Sequence, residues 1–133
     1  MPSTLRAALA LALLLTLLPA AALAQADPVA GAYAVTGWEP GAEQSKENAY
    51  TGTAEIRALG DGYTFSADMD GSGYEGVGIY DPQTGVLSLG FHSLDGVERG
   101  VTTLGVNAAG DLEGPWMPDS GDGTLGYEVW RRN

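Results

Sequence analysis

Short runs in which apolar and polar residues alternate recur along most of this chain, about every 10–14 residues, separated by glycine and aspartate. In the clearest run, residues 50–57, Tyr50, Gly52, Ala54 and Ile56 alternate with threonine, glutamate and arginine. Alternation with a period of two places one face of a strand on an apolar core and the other face in water. The pattern therefore predicts antiparallel strands joined by short hairpin turns.

Eight such runs follow one another, and we expect them to form one closed sheet. The predicted strands cover residues 32–38, 50–57, 63–69, 74–80, 87–91, 98–106, 112–117 and 125–131. An open sheet would leave two edges of unpaired N–H and C=O groups, which promote aggregation, whereas closure into a barrel removes both edges. The expected fold class is all-β, an eight-stranded antiparallel up-and-down barrel whose in-strand glycines suit sharp bends.

The first 24 residues have a different composition, typical of a secretory signal peptide. Arg6 precedes an apolar run over residues 7–18, Pro19 ends that run, and residues 22–24 read Ala-Leu-Ala. Small residues at these positions predict cleavage before Gln25, and twelve apolar residues are too few to span a bilayer. We therefore expect a signal peptide at 1–24, a single barrel domain at 25–133, and a periplasmic or secreted protein.

The predicted mature chain is strongly acidic and has no cysteine. It contains all 17 acidic residues and five basic ones, so its formal charge is −12. Such a charge repels nucleic acid and anionic membranes, favours cations or cationic partners, and keeps an exported protein soluble. Without cysteine there is no disulfide and no thiolate metal ligand. The expected partners are a small-molecule ligand or an extracellular protein.

The residues that hydrolytic enzymes use are not suitably arranged. His92 is the only histidine; Ser88 lies about 13 Å away along an extended strand, and Ser93 points to the opposite face. No spacing indicates two acids facing each other across a cleft. The sequence predicts a protein that is not an enzyme.

The sequence predicts no cofactor, and the alternative is a weakly bound calcium ion. Residues 68–73 read Asp-Met-Asp-Gly-Ser-Gly, which matches the first six positions of an EF-hand loop, and Ile79 stands where the bidentate glutamate belongs. Asp68 and Asp70, with Glu75 completing the set, would then bind calcium weakly. A hairpin turn explains the same residues, because aspartate and glycine tolerate unusual backbone angles.

Aromatic residues supply the candidate ligand site. Tyrosine outnumbers phenylalanine six to two, and buried hydroxyls need partners, which favours a partly polar barrel interior. The alternative places the tyrosines at the barrel rims, with their hydroxyls in water. The candidate ligand-binding residues are Trp38, Tyr50, Tyr63, Phe65 and Trp116, and the longest predicted loop, 39–48, lies beside the first two.

Both ends of the barrel sequence resemble the calycins, the group that contains lipocalins, fatty-acid-binding proteins and avidins. The resemblance rests on Gly31-Ala32-Tyr33 at the first strand, with tyrosine where those families carry tryptophan, and on Arg131 or Arg132 after Trp130. It implies that a basic residue of the last strand packs on the first-strand aromatic and closes the barrel bottom.

The chain is also similar to a group of uncharacterised exported bacterial proteins, some of which are labelled fibronectin-binding. This similarity rests on residues 78–81, 110–116 and 128–131. The predicted function is an exported, non-enzymatic binding module that holds a small apolar or aromatic ligand in the barrel mouth. The alternatives are a weakly calcium-binding structural barrel and a surface-acting protein binder, either an adhesin or a periplasmic protease inhibitor that inserts residues 25–30 as an arm.

Overall fold

A computed structural model describes residues 26–133, and eight β-strands account for most of them. The strands are β1 (Gly31–Trp38), β2 (Tyr50–Leu59), β3 (Gly62–Met69), β4 (Ser72–Asp81), β5 (Val86–Ser93), β6 (Arg99–Val106), β7 (Leu112–Pro118) and β8 (Gly126–Arg132). Each strand pairs with the next one, and β1 pairs antiparallel with β8, so the sheet is a closed barrel. The predicted fold is confirmed, whereas the predicted signal peptide lies outside the described residues. No helix among these residues is long and apolar enough to cross a membrane.

Turn chemistry sets the register of the hairpins. Between β3 and β4 only Asp70 and Gly71 lie outside the strands, with φ angles of 51° and 84°. Two positive φ angles match the right-handed twist of the flanking strands, and aspartate followed by glycine is a favoured pair for such a turn. Asp68 Oδ1 accepts a hydrogen bond from the Gly71 N–H at 2.9 Å and steadies the turn.

The core fills the half of the barrel near the β2–β3 and β4–β5 turns. Its most buried members are Val29, Tyr33, Ile56, Leu87, Leu89, Leu104, Leu112 and Trp130. The Trp130 ring centroid lies 5.9 Å from that of Tyr33 and 6.1 Å from that of Phe65, at tilted angles. Trp130 therefore forms the boundary between the packed core and the other half of the barrel.

The N-terminal segment and the last strand seal this end. Arg132 donates hydrogen bonds to the carbonyl oxygens of Ala30 and Pro28, both at 2.8 Å, and its guanidinium lies 5.1 Å from the Tyr33 ring centroid. The Tyr33 hydroxyl donates to the Val29 carbonyl at 2.6 Å. The packing implied by the calycin resemblance is confirmed, with Arg132 as the basic residue and Arg131 exposed to solvent.

These contacts argue against the alternative in which residues 25–30 insert into a protease as an arm, as far as residues 26–30 are concerned. Val29 is fully buried, and the Asp27 carboxylate accepts hydrogen bonds from the N–H groups of Val29 and Ala30 at 2.9 and 2.8 Å. Withdrawing the segment would expose Val29 and leave Arg132 without two of its acceptors. The described part of the segment is therefore the lid of the closed end.

Candidate functional site

The opposite end of the barrel opens into a cavity of about 210 Å³. This is the end at which the β1–β2, β3–β4, β5–β6 and β7–β8 loops connect the strands, and the cavity lies among the strand residues next to those loops. At about 30 Å³ for each water, the space equals roughly seven waters, or one small organic molecule. The interior is therefore partly filled by the core and partly open.

Aromatic side chains form much of the cavity wall. They are Tyr50, Phe65, Tyr74, Phe91, Trp116 and Trp130. The Phe91 ring meets those of Tyr74 and Trp116 edge to face, in each case with ring centroids 6.0 Å apart. Such packing fixes the ring positions, so the wall is held in shape by its own contacts.

Glycines on neighbouring strands make room for two of these rings. A Cβ atom on Gly37 would overlap the Tyr50 ring, and one on Gly126 would overlap the Trp116 indole. Both aromatic residues are paired across strands with these glycines. Each ring therefore occupies the space that a side chain at the glycine would fill.

A buried carboxyl group stands at the inner end of the cavity. Glu128 is 8% exposed, and its Oε1 and Oε2 accept hydrogen bonds from the Tyr50 hydroxyl at 2.6 Å and the Trp130 Nε1 at 2.7 Å. Desolvation raises the pKa of Glu128, the two hydrogen bonds oppose that rise, and the charge of Glu39 adds to it. The same environment raises the pKa of Tyr50, through burial first and Glu128 second.

Three more carboxyl groups surround the mouth. Glu98 Oε2 accepts a hydrogen bond from the Tyr74 hydroxyl at 2.8 Å, and burial together with that contact raises the pKa of Tyr74 to about 12. Partial burial and the charge of Glu98 raise the pKa of Glu39. Asp70, in the β3–β4 turn, also lines the cavity. Among the described residues that line it there is no lysine, arginine or histidine.

The Trp116 indole N–H is a buried donor without a partner. Trp116 is 6% exposed and lines the cavity, and within residues 26–133 its Nε1 has no hydrogen-bond acceptor. A buried donor that makes no hydrogen bond costs about 1–3 kcal/mol. A bound molecule with an acceptor group would remove that cost.

The structure brings together Tyr50, Phe65 and Trp116 of the predicted ligand-binding set. Trp38 lies elsewhere, because the inward position of β1 falls on Gly37 and the next residue points outward. Its Nε1 donates to the Ser45 carbonyl at 2.7 Å. Tyr63 points inward but at the closed end, where its hydroxyl donates to Asp27 at 3.0 Å.

Glu128, Glu98, Tyr74 and Phe91 also line the cavity but were not among the residues predicted from the sequence. For Glu128 a signal was present, because it alternates in phase with Gly126 and Trp130 on the inward face of β8. A charged residue at an inward-facing position is either paired or functional.

The residues of the predicted calcium site have separate hydrogen-bond partners. Asp68 accepts from the Gly71 N–H, Glu75 Oε1 lies 3.1 Å from His92 Nε2, and Asp70 Oδ1 lies 3.4 Å from the Thr51 N–H. Among residues 26–133 no three acids or histidines are grouped closely enough to hold a metal ion. Calcium binding at these residues stays a prediction.

The histidine and serines considered for catalysis lie apart from the cavity. His92 and Glu75 form an exposed pair on the outer face of β4 and β5. Ser93 is buried, and its hydroxyl donates to Asp95 Oδ1 at 2.5 Å.

Comparison with known proteins yields a similar solved structure but no matching family. No protein-family model matches the chain, and no curated protein matches it. The fibronectin-binding label therefore receives no support from them. One solved structure, described as a REP1-NXSQ fatty acid transporter, is similar over 78% of this chain and 95% of its own length, with 10% identity and a TM-score of 0.48.

Proposed function

We propose that this protein is a binding module that holds one small organic molecule in the open end of its barrel. The observation that carries the proposal is the cavity itself, because it combines fixed aromatic walls with a few convergent polar groups. Binding sites for small molecules typically have this composition. The buried Glu128 and the unpartnered Trp116 N–H would orient the ligand.

The proposal includes export. The signal peptide predicted at 1–24 would direct the chain to the periplasm or the medium, where a cavity of this kind would meet ligands outside the cytoplasm. N-terminal sequencing of the mature protein should identify Gln25 as its first residue.

A pair of variants on neighbouring residues tests the site. Ala67 points into the cavity, whereas Ser66 points outward from the same strand. Ala67→Phe should fill the cavity and abolish the binding of small aromatic fragments detected by NMR, whereas Ser66→Phe should leave it unchanged. Met69→Trp, also at the cavity, replaces Ala67→Phe if that variant does not melt cooperatively.

Two results would contradict the proposal. One is that no probe from a set of small aromatic compounds, amines, alcohols and fatty acids binds the wild-type protein. The other is binding that Ala67→Phe or Met69→Trp leaves intact, since the probes would then occupy another surface. A surface-acting protein binder, the alternative from the sequence, would instead retain a stoichiometric partner when the cavity is filled.

A further inference from the structure

We propose that the cavity selects an organic cation, namely an ammonium group attached to a small ring or short chain. This inference rests on the proposed function and names the class of ligand. It is carried by the juxtaposition of a buried, hydrogen-bonded carboxylate, an acidic mouth and an aromatic wall in one cavity.

The charge of the lining is one-sided. Four carboxyl groups line the cavity, those of Glu39, Asp70, Glu98 and Glu128, and no basic side chain in the described chain accompanies them there. An anionic ligand would be repelled by the ionised carboxylates among them. A cation would be attracted, most strongly at the inner end, where little solvent screens the interaction.

Apart from the Trp116 N–H, several hydrogen-bonding side chains of the cavity are arranged as acceptors. The Tyr50 and Tyr74 hydroxyl hydrogens are directed to Glu128 and Glu98, so both phenol oxygens present lone pairs. The Thr102 hydroxyl donates to the Pro115 carbonyl at 3.2 Å. A carboxylate has about four lone-pair sites, and each Glu128 oxygen accepts one bond from the protein. The ligand that complements this lining is rich in donors, as an ammonium group is.

The aromatic wall suits the same ligand. Cations are attracted to aromatic faces, an effect that strengthens when the site excludes water. The Phe91 ring contacts those of Tyr74 and Trp116, and all three residues line the cavity. The unpartnered Trp116 N–H adds one donor, which suits a hydroxyl or carbonyl group elsewhere on the cation.

The spacing of the carboxyl groups argues against a metal ion as the cation. Metal coordination needs several ligands within about 2.0–2.6 Å of one centre. In the described part of the chain no three acids or histidines approach one another closely enough for this. Carboxylates spread around a cavity lined by rings fit an organic cation instead.

A charge series of similar shape tests the inference by calorimetry on the mature protein. The probes are 2-phenylethylamine, 2-phenylethanol and 3-phenylpropanoate, with dodecanoate as a lipid anion. The amine should bind at least tenfold more tightly than the alcohol, and the two anions should not bind measurably. The preference should weaken in Glu128→Gln by about tenfold, whereas Glu113→Gln, an equal charge change on the outer face of β7, should leave it intact.

The outcomes separate the two proposals. Equal or tighter binding of the alcohol or of either anion would overturn the cation inference while leaving a working binding site. An amine preference that Glu113→Gln reduces as much as Glu128→Gln would also overturn it, because general charge attraction would then be the cause. If Glu128→Gln fails to fold, Glu98→Gln takes its place with the same expectation. Absence of binding by all four probes overturns this inference, and only the wider probe set decides the proposed function.

Discussion

The buried carboxyl group of Glu128 should make the stability of the barrel depend on pH in a direction that is unusual for an acid. Its pKa is raised above the ordinary value of 4.5, mainly by desolvation. Between that value and the raised one, the native state binds more protons than the unfolded state. The free energy of unfolding therefore falls as pH rises through this window, and the loss is complete above the raised pKa.

The size of this pH-dependent change in stability can be measured with a matched variant. Glu128→Gln removes the titration, and each unit by which the native pKa is raised corresponds to about 1.4 kcal/mol. At low pH the variant should be about 0.5–1.5 kcal/mol less stable than the wild type. Its NH₂ group stands in place of one of the two oxygens that accept hydrogen bonds from Tyr50 and Trp130, so one of these bonds is lost. At low pH Glu128→Ala should cost about 2–6 kcal/mol, because it leaves the Tyr50 and Trp130 donors unpaired, and this cost should decrease as pH rises because the variant lacks the same titrating group.

Urea denaturation at several pH values from 4 to 8, followed by tryptophan fluorescence, measures these differences. Acids remote from Glu128 titrate alike in wild type and variant, so subtracting the two curves isolates Glu128 together with its coupling to Glu39. The stability of Glu128→Gln relative to wild type should increase as pH rises. A relative stability that is constant or decreases with pH would refute the reasoning, and Glu47→Gln, in an exposed loop, should show no such increase.

Three further predictions concern packing, the closed end and calcium. Gly126→Ala should lower the free energy of unfolding by about 1–3 kcal/mol in a denaturant titration, because the added methyl group overlaps an indole ring. Gly90→Ala, with open space around it, should leave the free energy of unfolding unchanged or raise it by up to about 1 kcal/mol; equal losses in the two variants would contradict this. Arg132→Ala should cost about 2–3 kcal/mol through lost hydrogen bonds to carbonyl groups, and Arg131→Ala under about 0.5 kcal/mol, when measured in the same way. If calcium binds at Asp68, Asp70 and Glu75, a hundredfold excess over its dissociation constant should stabilise the wild type by about 2.7 kcal/mol, and Asp70→Asn should abolish the gain; an unchanged wild-type melting temperature in millimolar calcium at fixed ionic strength would exclude the site.

The sequence by itself determined the strands and their closure. Alternation along residues 50–57 shows which side chains point inward, and the Asp70-Gly71 pair accepts the positive φ angles of a two-residue turn. These are local properties, set by the backbone and by the nearest neighbours along the chain. Eight hairpin-linked strands that avoid open edges then leave a closed barrel as the expected arrangement.

Only the tertiary structure decided which inward residues meet at the open end. Tyr50 and Tyr63 both point inward, but one begins β2 and the other lies at the start of β3, so they face opposite ends of the barrel. The partners of Glu128 show the same dependence on the fold, since Tyr50 lies 78 positions away along the chain and reaches it because β1 lies between their strands. The alternation indicates that Glu128 points inward, but its pairing and its raised pKa follow from long-range contacts and burial, which the local sequence does not encode.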